Sequence, residues 1–279
     1  EIMLQQTTVA SVVPYFEKFL TRWPSIQKLA AADLNDVLHC WQGLGYYARA
    51  RNLHRCARTI VGEHGAVFPS TEEALLRLPG IGRYTAAAMV AIGFDRKAVV
   101  VDGNVERVMA RLYAVDDPLP QIKPRLREYA AGLTPGHRAG DYAQAVMDLG
   151  ATICTPRRPK CDICPWQSRC VGKNHADDLP RRSITKNKPI RRAIAYCITN
   201  SNGSILLRRR SETGLLGGMV EVPSSAWLEA SVPDEKVAKF HSPLALASSR
   251  VLPGILRHTF THFHLELLVL AGRARQESI

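Results

Sequence analysis

The sequence predicts a multidomain chain, in which an all-α part is followed by a β-rich α+β part. The length of 279 residues exceeds that of one typical domain. Apolar residues recur at helical spacing up to about residue 175, and beyond residue 192 they alternate with a period of two. The intervening segment is polar and basic and has no apolar periodicity, which predicts a linker. We therefore expect a first domain over residues 1–175, a basic linker over 176–190 and a second domain over 191–279.

Composition restricts the possible functions. Hydrophobic residues make up 46% and charged residues 22%, which is typical of a soluble globular protein and excludes disordered or collagenous chains. No apolar run reaches the roughly 18 residues of a membrane helix, so no membrane partner is expected. The start has no basic region typical of a signal peptide and no initiator Met, so we expect the native N-terminus upstream. The net charge of +12 favours a polyanionic partner such as nucleic acid, with simple solubility as the alternative.

Four of the seven cysteines lie within 17 residues, at Cys154, Cys161, Cys164 and Cys170. An odd total without a secretory signal indicates a metal centre in a reducing compartment rather than a disulfide framework. Chemistry alone leaves both a Cys₄ zinc site and a [4Fe–4S] cluster open.

A glycine-rich turn, from Leu78 to Gly82, separates two predicted helices. The first helix is predicted to begin with a capping box, in which the Ser70 hydroxyl accepts from the Glu73 amide. The glycines Gly80 and Gly82 let the backbone approach a ligand, and exposed amides at the start of the next helix suit a phosphate. A plain helix–helix turn is the simpler alternative.

Two further segments combine residues suited to nucleic-acid chemistry. The run Leu44 to Arg51 places aromatic side chains beside cations, as unstacked bases near phosphates require, although one tyrosine packed in the core would explain it equally. Asp102 follows the apolar run Ala98 to Val101, where a carboxylate in a dry cleft could stabilise positive charge. Taken alone, that Asp is more simply a turn or cap residue.

The C-terminal part carries weaker signals. The triplet Ser201 to Gly203 predicts a hairpin turn after a strand over 193–198, and the segment from Phe260 to Leu270 predicts another strand. A metal site formed by His258, His262 and His264 on one strand face is a minor alternative.

These segments occur in the order found in MutY-type adenine DNA glycosylases, a family of the endonuclease III superfamily, and the chain resembles that family. The resemblance is carried by six segments: Glu1 to Thr7, Gly43 to Arg49, the turn Leu78 to Gly82, Val101 to Val105, Met147 to Gly150 and the four cysteines. More weakly, Gly214 to Pro223 resembles the glycine-rich segment of Nudix folds, without the acidic Nudix box. The implied fold is a helix-hairpin-helix glycosylase domain with an iron-sulfur loop over 154–170, followed by an α+β Nudix-like domain.

The resemblance also implies roles for individual residues. Glu1 matches the general acid that protonates adenine N7, Asp102 the carboxylate that stabilises the sugar cation, and Tyr84 and Asn104 their hydrogen-bonding supports. Gln5 and Tyr46 match side chains that wedge into the base stack. The remaining implied contacts to DNA are Gln6, Thr7, Leu44, Gly80, Gly82 and Gln144, with Phe260, Thr261 and His262 reading 8-oxoguanine. The four cysteines would hold one [4Fe–4S] cluster.

The implied activity is hydrolytic removal of adenine mispaired with 8-oxoguanine or guanine in double-stranded DNA, by a monomer associated with the bacterial nucleoid in the cytoplasm. Tyr84 stands where strand-nicking relatives have a lysine, which favours a monofunctional enzyme. The alternatives are a bifunctional pyrimidine-damage glycosylase/lyase, a non-enzymatic DNA-binding redox regulator, and a Nudix hydrolase, which the missing acidic box disfavours.

Overall fold

The chain folds into two compact units, one spanning residues 1–185 and the other 186–279. This computed structural model describes residues 1–183, 187–212, 214–228 and 235–275. Within these ranges, no helix is both long and apolar enough to cross a membrane.

The first unit is built from helices. Two of them continue into a π-turn at their C-terminal end, α6 through Met89–Gly93 and α9 through Leu149–Ile153. The α-helices of this unit are α1 (Val9–Arg22), α2 (Ile26–Ala30), α3 (Leu34–Cys40), α4 (Ala48–Glu63), α5 (Glu72–Leu75), α6 (Arg83–Ala88), α7 (Gly103–Leu112), α8 (Lys123–Leu133) and α9 (Ala139–Asp148).

Two hydrophobic clusters hold this unit together. The larger one includes Trp41 and Ile60, which have no exposed surface, and gathers side chains of α1, α3, α4 and α6. The smaller one includes Met109 and Leu126 and joins α7, α8 and α9. Each of these helices buries one apolar stripe, which is the pattern expected of an all-α core.

The start of α5 differs from the sequence prediction. Thr71, not Ser70, caps the helix, because its hydroxyl accepts from the Ala74 amide at 3.3 Å. Thr71 directly precedes the first helical residue, whereas the Ser70 hydroxyl lies one residue further out and accepts from Arg96 Nη1 at 2.9 Å. The predicted position of the helix is nevertheless right.

The second unit is organised around a mixed sheet in the order β1–β6–β4, with β5 also paired to β6. The pairing of β1 with β6 is parallel, and β4 and β5 run antiparallel to β6. Its core uses every second residue of β1, namely Ile194, Tyr196 and Ile198. The strands and the helix are β1 (Ile190–Thr199), β2 (Arg208–Arg209), β3 (Val220–Glu221), α10 (Glu235–Phe240), β4 (Leu246–Val251), β5 (Leu256–Thr259) and β6 (His264–Ala274).

Of two predicted features of the strands, one is confirmed and one is placed differently. The turn after β1 is present, since the Asn200 side chain accepts from the amides of Asn202 and Ser204. The segment from Phe260, predicted as a strand, instead begins with the β5–β6 turn, which the Phe260 amide closes by donating to the Phe263 carbonyl at 2.9 Å. His262 therefore lies in a turn and cannot share a strand face with His258. Among the described residues no histidine-containing group is arranged to hold a metal ion.

Candidate active site and metal centre

A cleft of about 670 Å³ in the first unit brings together three of the four predicted catalytic residues. Glu1, Tyr84 and Asp102 all line it, although they come from the chain start, the first turn of α6 and the start of α7. Gln5 and Tyr46 line the same cleft. Residues separated by up to 101 positions in the sequence therefore share one solvent-filled space.

The Asp102 carboxylate is held by hydrogen bonds to both of its oxygens. Asp102 is the N-cap of α7, where Oδ1 accepts from the Val105 amide at 2.7 Å. Oδ2 accepts from Asn104 Nδ2 at 2.9 Å. The interpretation as a cap is therefore confirmed, and capping fixes the carboxylate at the edge of the cleft, where the role of a site residue stays a prediction.

Sequence reasoning missed Arg107, which connects this carboxylate to the cysteine loop. Its Nη2 donates to Asn104 Oδ1 at 2.8 Å and to the Gly150 carbonyl at 2.6 Å, and its Nε donates to the Cys154 carbonyl at 2.7 Å. Burial is the main cause that lowers the pKa of this guanidinium. The available signal was spacing, because positions 104 and 107 face the same side of a helix.

Tyr84 stays protonated at neutral pH. Burial, together with the charges of Glu1 and Asp102, raises the pKa of Tyr84 to about 12. Its hydroxyl lies 3.6 Å from Met147 Sδ, a weak acceptor. Tyr84 is therefore a neutral hydrogen-bond donor in the cleft and takes no part in proton release at neutral pH.

The predicted wedge residues lie at the rim of the cleft. Tyr46 is 57% exposed and adopts a left-handed φ of +47°, as does Gln6 with +56°. The Gln5 side chain is partly buried, and its Nε2 donates to the Gly80 carbonyl at 3.0 Å. Gln5 thus links the chain start to the glycine-rich turn.

The glycine-rich turn has the geometry that its sequence predicts. Gly80 has a φ of +78°, and a Cβ at this position would lie only 2.8 Å from Asn52 Cβ, so a side chain is excluded twice over. Gly82 is the N-cap of α6, and no side chain caps its amides. The backbone donors at the start of α6 are thereby free of a side-chain competitor, as an anion site requires.

Three of the predicted DNA contacts lie elsewhere. The Leu44 side chain is only 7% exposed and packs in the larger core cluster, so only its backbone could reach DNA. Gln144 is exposed on α9, where its amide donates to the Gly140 carbonyl, and it does not line the cleft. The Thr7 hydroxyl donates to the Gln5 carbonyl at 3.5 Å.

The four predicted metal ligands surround one small cavity. None of the four forms a disulfide, and all four have intermediate exposure. Within the described ranges no group of three or more potential ligands is arranged to hold a single ion. Four cysteine sulfurs around one cavity are the donor set of a metal centre bound by thiolates.

Arg111 is a second residue that sequence reasoning missed. Its guanidinium is buried, with 1% of the residue exposed, and Nη1 donates to Cys154 Sγ at 3.2 Å and to the Thr155 carbonyl at 2.8 Å. Burial is the main cause that raises the pKa of Cys161 and of Cys170, and repulsion between neighbouring thiolates raises both values further. A buried cation beside the sulfurs therefore supports a group that is bound by thiolates.

In the second unit, the side chains of Thr261 and His262 are exposed at the tip of the β5–β6 turn. Phe260 stacks on Phe263 with ring centroids 4.8 Å apart, and Lys188 Nζ donates to the Phe260 carbonyl at 3.1 Å. The linker lysine thus has a partner inside the second unit.

The other linker cations differ among themselves. Arg181 pairs with Asp116 at 3.3 Å, and Arg182 lies in a parallel bridge with Leu119. Lys186 lies outside the described residues. The composition of the linker suggests a row of equivalent, solvent-exposed cations, but the described ones have different partners.

Comparison with known families accounts for both units. A profile described as "HhH-GPD superfamily base excision DNA repair protein" matches residues 1–130, and one for the iron-sulfur binding domain of endonuclease III matches residues 154–170. A NUDIX domain profile matches residues 194–278. The chain belongs to the HhH-GPD superfamily of base excision DNA repair proteins, with an iron-sulfur loop and a C-terminal Nudix-like domain.

Individual proteins are similar to the chain over between 60% and 95% of its length. Adenine DNA glycosylase of Homo sapiens is 35% identical over 320 residues, covering 95% of this chain and 58% of the human protein. Adenine DNA glycosylase of Mycolicibacterium smegmatis is 43% identical over 173 residues, covering 60% and 59%. The structure of a thermostable thymine-DNA glycosylase superposes with a TM-score of 0.57 at 31% identity, covering 62% of this chain and 81% of that one. The chain thus spans less than two thirds of the two curated relatives.

Proposed function

We propose that this protein is an adenine DNA glycosylase that removes adenine mispaired with 8-oxoguanine or guanine in duplex DNA. The observation that carries the proposal is the cleft shared by Glu1, Tyr84 and Asp102, with Gln5 and Tyr46 at its rim. Two carboxylates facing one space are the minimal equipment for cleaving a glycosidic bond. The relatives named adenine DNA glycosylase support the choice of base.

In the proposed mechanism, the target adenine leaves the stack and enters the cleft, while Tyr46 and Gln5 fill part of the space that it vacates. Glu1 delivers a proton to N7 of the base, which turns adenine into a neutral leaving group as the bond to the sugar breaks. Asp102 faces the anomeric carbon and stabilises the positive charge that develops there. The oxygen of a water molecule then bonds to this carbon, and the proton that the water loses restores the protonated form of Glu1.

The supporting residues keep these two roles separate. Tyr84 remains a neutral hydrogen-bond donor near the two carboxylates, whose charges help to raise its pKa, so it does not act as a base at neutral pH. Asn104 and the Val105 amide orient the Asp102 carboxylate by donating to its two oxygens. Such fixed donors cost no reorganisation when charge develops.

We propose a monofunctional enzyme, because a lyase needs an amine that attacks the sugar and forms a Schiff base. The described residues that line the cleft include no lysine, and the only cation among them is Arg49, which cannot deprotonate. Tyr84 occupies the position of the expected amine.

We further propose that the iron-sulfur group is one [4Fe–4S] cluster held by the four cysteines. It would supply a fixed negative core around which the loop folds. Arg111 supports the loop by donating to Cys154 Sγ and to the Thr155 and Pro156 carbonyls. Metal analysis with a visible spectrum tests this, and a colourless protein containing one zinc would contradict it.

The proposed partner is double-stranded DNA bound by a monomer at the bacterial nucleoid. The uncapped amides at the start of α6 offer a phosphate contact that carries no sequence preference. Recognition of 8-oxoguanine is assigned to Phe260, Thr261 and His262, of which the last two are exposed.

The experiment that tests the function measures base release from four duplexes under single-turnover conditions. These contain adenine opposite 8-oxoguanine, adenine opposite guanine, thymine opposite guanine, and an undamaged pair. We expect adenine release from the first two, intact strands before alkali treatment, and no borohydride-trapped adduct. Release of thymine alone, or a trapped adduct, would contradict the proposal.

A further inference from the structure

Arg49, in the first turn of α4, is a buried cation without a carboxylate partner. The residue is 7% exposed, and burial lowers the pKa of its guanidinium. Among the described residues no carboxylate forms an ion pair with it, and its Nε has no hydrogen-bond partner. A cation near a helix N-terminus also opposes the helix dipole. Apolar side chains fill such a space at lower cost, so the contribution of Arg49 must come from its directed hydrogen bonds.

Those hydrogen bonds join two segments that are far apart in the sequence. Nη1 donates to the Met3 carbonyl at 2.8 Å and also to the Gln5 carbonyl. Nη2 donates to the Leu44 carbonyl at 3.0 Å and more weakly to the Gly45 carbonyl. The planar guanidinium fixes the directions of its donors, so the two segments are held at one distance and one angle.

Each of these segments carries a part of the cleft. The first begins with Glu1, whose carbonyl accepts from the Leu4 amide at the start of the 3₁₀ turn that Arg49 holds. The second contains Tyr46, whose ring lies 5.6 Å from the guanidinium carbon of Arg49, while the Trp41 ring lies at 5.3 Å. Arg49 therefore touches the backbone of the proton-donor segment and the face of the wedge ring.

The loop before Tyr46 has a backbone that needs such support. Gly43, Gly45 and Tyr46 all have left-handed φ values, of +106°, +69° and +47°. For Tyr46, a residue with a Cβ, this conformation is unfavourable and persists only when the surroundings fix it. The hydrogen bonds from Arg49 to Leu44 and Gly45 provide that constraint on the N-terminal side of the tyrosine.

We propose that Arg49 is a positioning residue that couples insertion of Tyr46 into the base stack to placement of Glu1 beside the extruded base. This inference rests on the proposed function. With Arg49 in place, the wedge and the acid are fixed relative to each other before DNA binds, so extrusion delivers the base to a proton donor already in position. A lysine keeps the charge, but its single nitrogen cannot bridge the two segments.

The test compares Arg49→Lys and Arg49→Met with the wild type. His54→Gln serves as the matched control, because His54 is 7% exposed in the same helix and its Nε2 hydrogen-bonds the Ala32 carbonyl instead of the two segments of the cleft. For each variant, thermal unfolding and the burst amplitude report the folded, active fraction. The single-turnover rate constant, with adenine opposite 8-oxoguanine, reports the chemistry per active molecule. The fluorescence of 2-aminopurine placed next to a non-cleavable 2′-fluoro-adenosine reports opening of the stack.

We expect both Arg49 variants to lower the rate constant by about 100-fold, the usual loss when reacting groups are displaced by about 1 Å. The 2-aminopurine signal in the complex should fall, duplex affinity should change less than about threefold, and His54→Gln should keep the wild-type rate constant. Arg49→Met has a side chain of similar length without hydrogen-bond donors. If Arg49→Lys does not fold, the rate constant of Arg49→Met is the one that tests the inference.

Two results would overturn the inference. One is a lower burst amplitude with a rate constant within twofold of the wild type, since that is the signature of a purely structural arginine. The other is an equal loss of rate in His54→Gln. If the wild type itself releases no adenine, the proposed function has failed instead, and the two failures are thereby distinguishable.

Discussion

The candidate sites of the two units differ in burial and in hydrogen bonding: Asp102 and Tyr84 of the first are partly buried or held by hydrogen bonds, and Thr261 and His262 of the second are exposed. In the cleft, Asp102 has a donor on each oxygen and Tyr84 is sufficiently buried that its pKa rises to about 12. On the β5–β6 turn, Thr261 and His262 project into solvent from a support of stacked rings. The contrast matches the two roles that we propose, since bond cleavage needs groups fixed in advance, whereas lesion recognition needs groups that can reach a base.

From this difference we expect variants of the two sites to change different steps of the reaction. Changes in the cleft should slow the removal of adenine whatever base lies opposite, because they act on the chemical step. Changes on the turn should alter the choice between opposing bases and leave the chemical step intact. The following predictions are ordered by the size of the expected effect.

The largest effect is expected for the two carboxylates. Glu1→Gln retains the size of the side chain but cannot deliver a proton, and general acid catalysis contributes roughly 10²–10⁴-fold. Asp102→Asn removes the negative charge that faces the sugar cation and should be about as damaging. Single-turnover rates of adenine release opposite 8-oxoguanine measure both effects.

The matched control for these variants is duplex affinity. Neither substitution removes a positive charge, so binding measured by fluorescence anisotropy should remain near the wild-type value. A near-normal rate in either variant would rule out the mechanism with two carboxylates, and a large loss of affinity would show that the residue serves binding.

A smaller effect on the same step is expected for Arg107. Its side chain holds Asn104, which in turn holds Asp102, so Arg107→Met should let the carboxylate swing and slow release by about 10²-fold or less. Because Arg107 also donates to the Cys154 carbonyl, the iron content should be measured in parallel. A normal rate with full iron would show that Asn104 holds Asp102 unaided.

Arg107 also shows why the sequence predicts some of this site and not the rest. Asp102, Tyr84 and the four cysteines stand in short segments with recognisable spacing, and the structure brings the first two into one cleft. Arg49, Arg107 and Arg111 work through guanidinium bonds to backbone carbonyls. Such acceptors exist at every residue, so no sequence pattern marks which carbonyl an arginine will meet.

The fold was predictable to a similar extent. Helical periodicity and the period of two distinguish the two units, because burial on one face leaves a direct trace in the sequence. The predicted helix cap at Ser70 is wrong by one residue, because Thr71 is the cap. The strand predicted to begin at Phe260 begins four residues later, at His264. Both depend on which of several adjacent polar or aromatic groups finds a tertiary partner, here Arg96 for Ser70 and Phe263 for Phe260.

The third prediction tests the other side of the comparison. Replacing both Thr261 and His262 by Ala should slow processing opposite 8-oxoguanine by about tenfold, since one polar contact discriminates by roughly 1–3 kcal/mol. Processing opposite guanine should barely change, because the cleft remains intact. Rates on the two duplexes, measured with one enzyme preparation, decide the matter, and an equal loss on both would show that the turn does not read the lesion.

The smallest effect is expected for Lys188, whose Nζ donates to the carbonyl of Phe260. This contact is exposed, and exposed charged contacts contribute at most about 1 kcal/mol, so Lys188→Met should lower the preference for 8-oxoguanine over guanine by about two- to fivefold. Arg181→Met is the control. This substitution also removes one positive charge from the linker, but Arg181 pairs with Asp116 and not with the β5–β6 turn. Both variants should reduce the salt dependence of duplex binding alike. Only Lys188→Met should change the ratio of the two rates, and an unchanged ratio would mean that the turn keeps its shape without the linker.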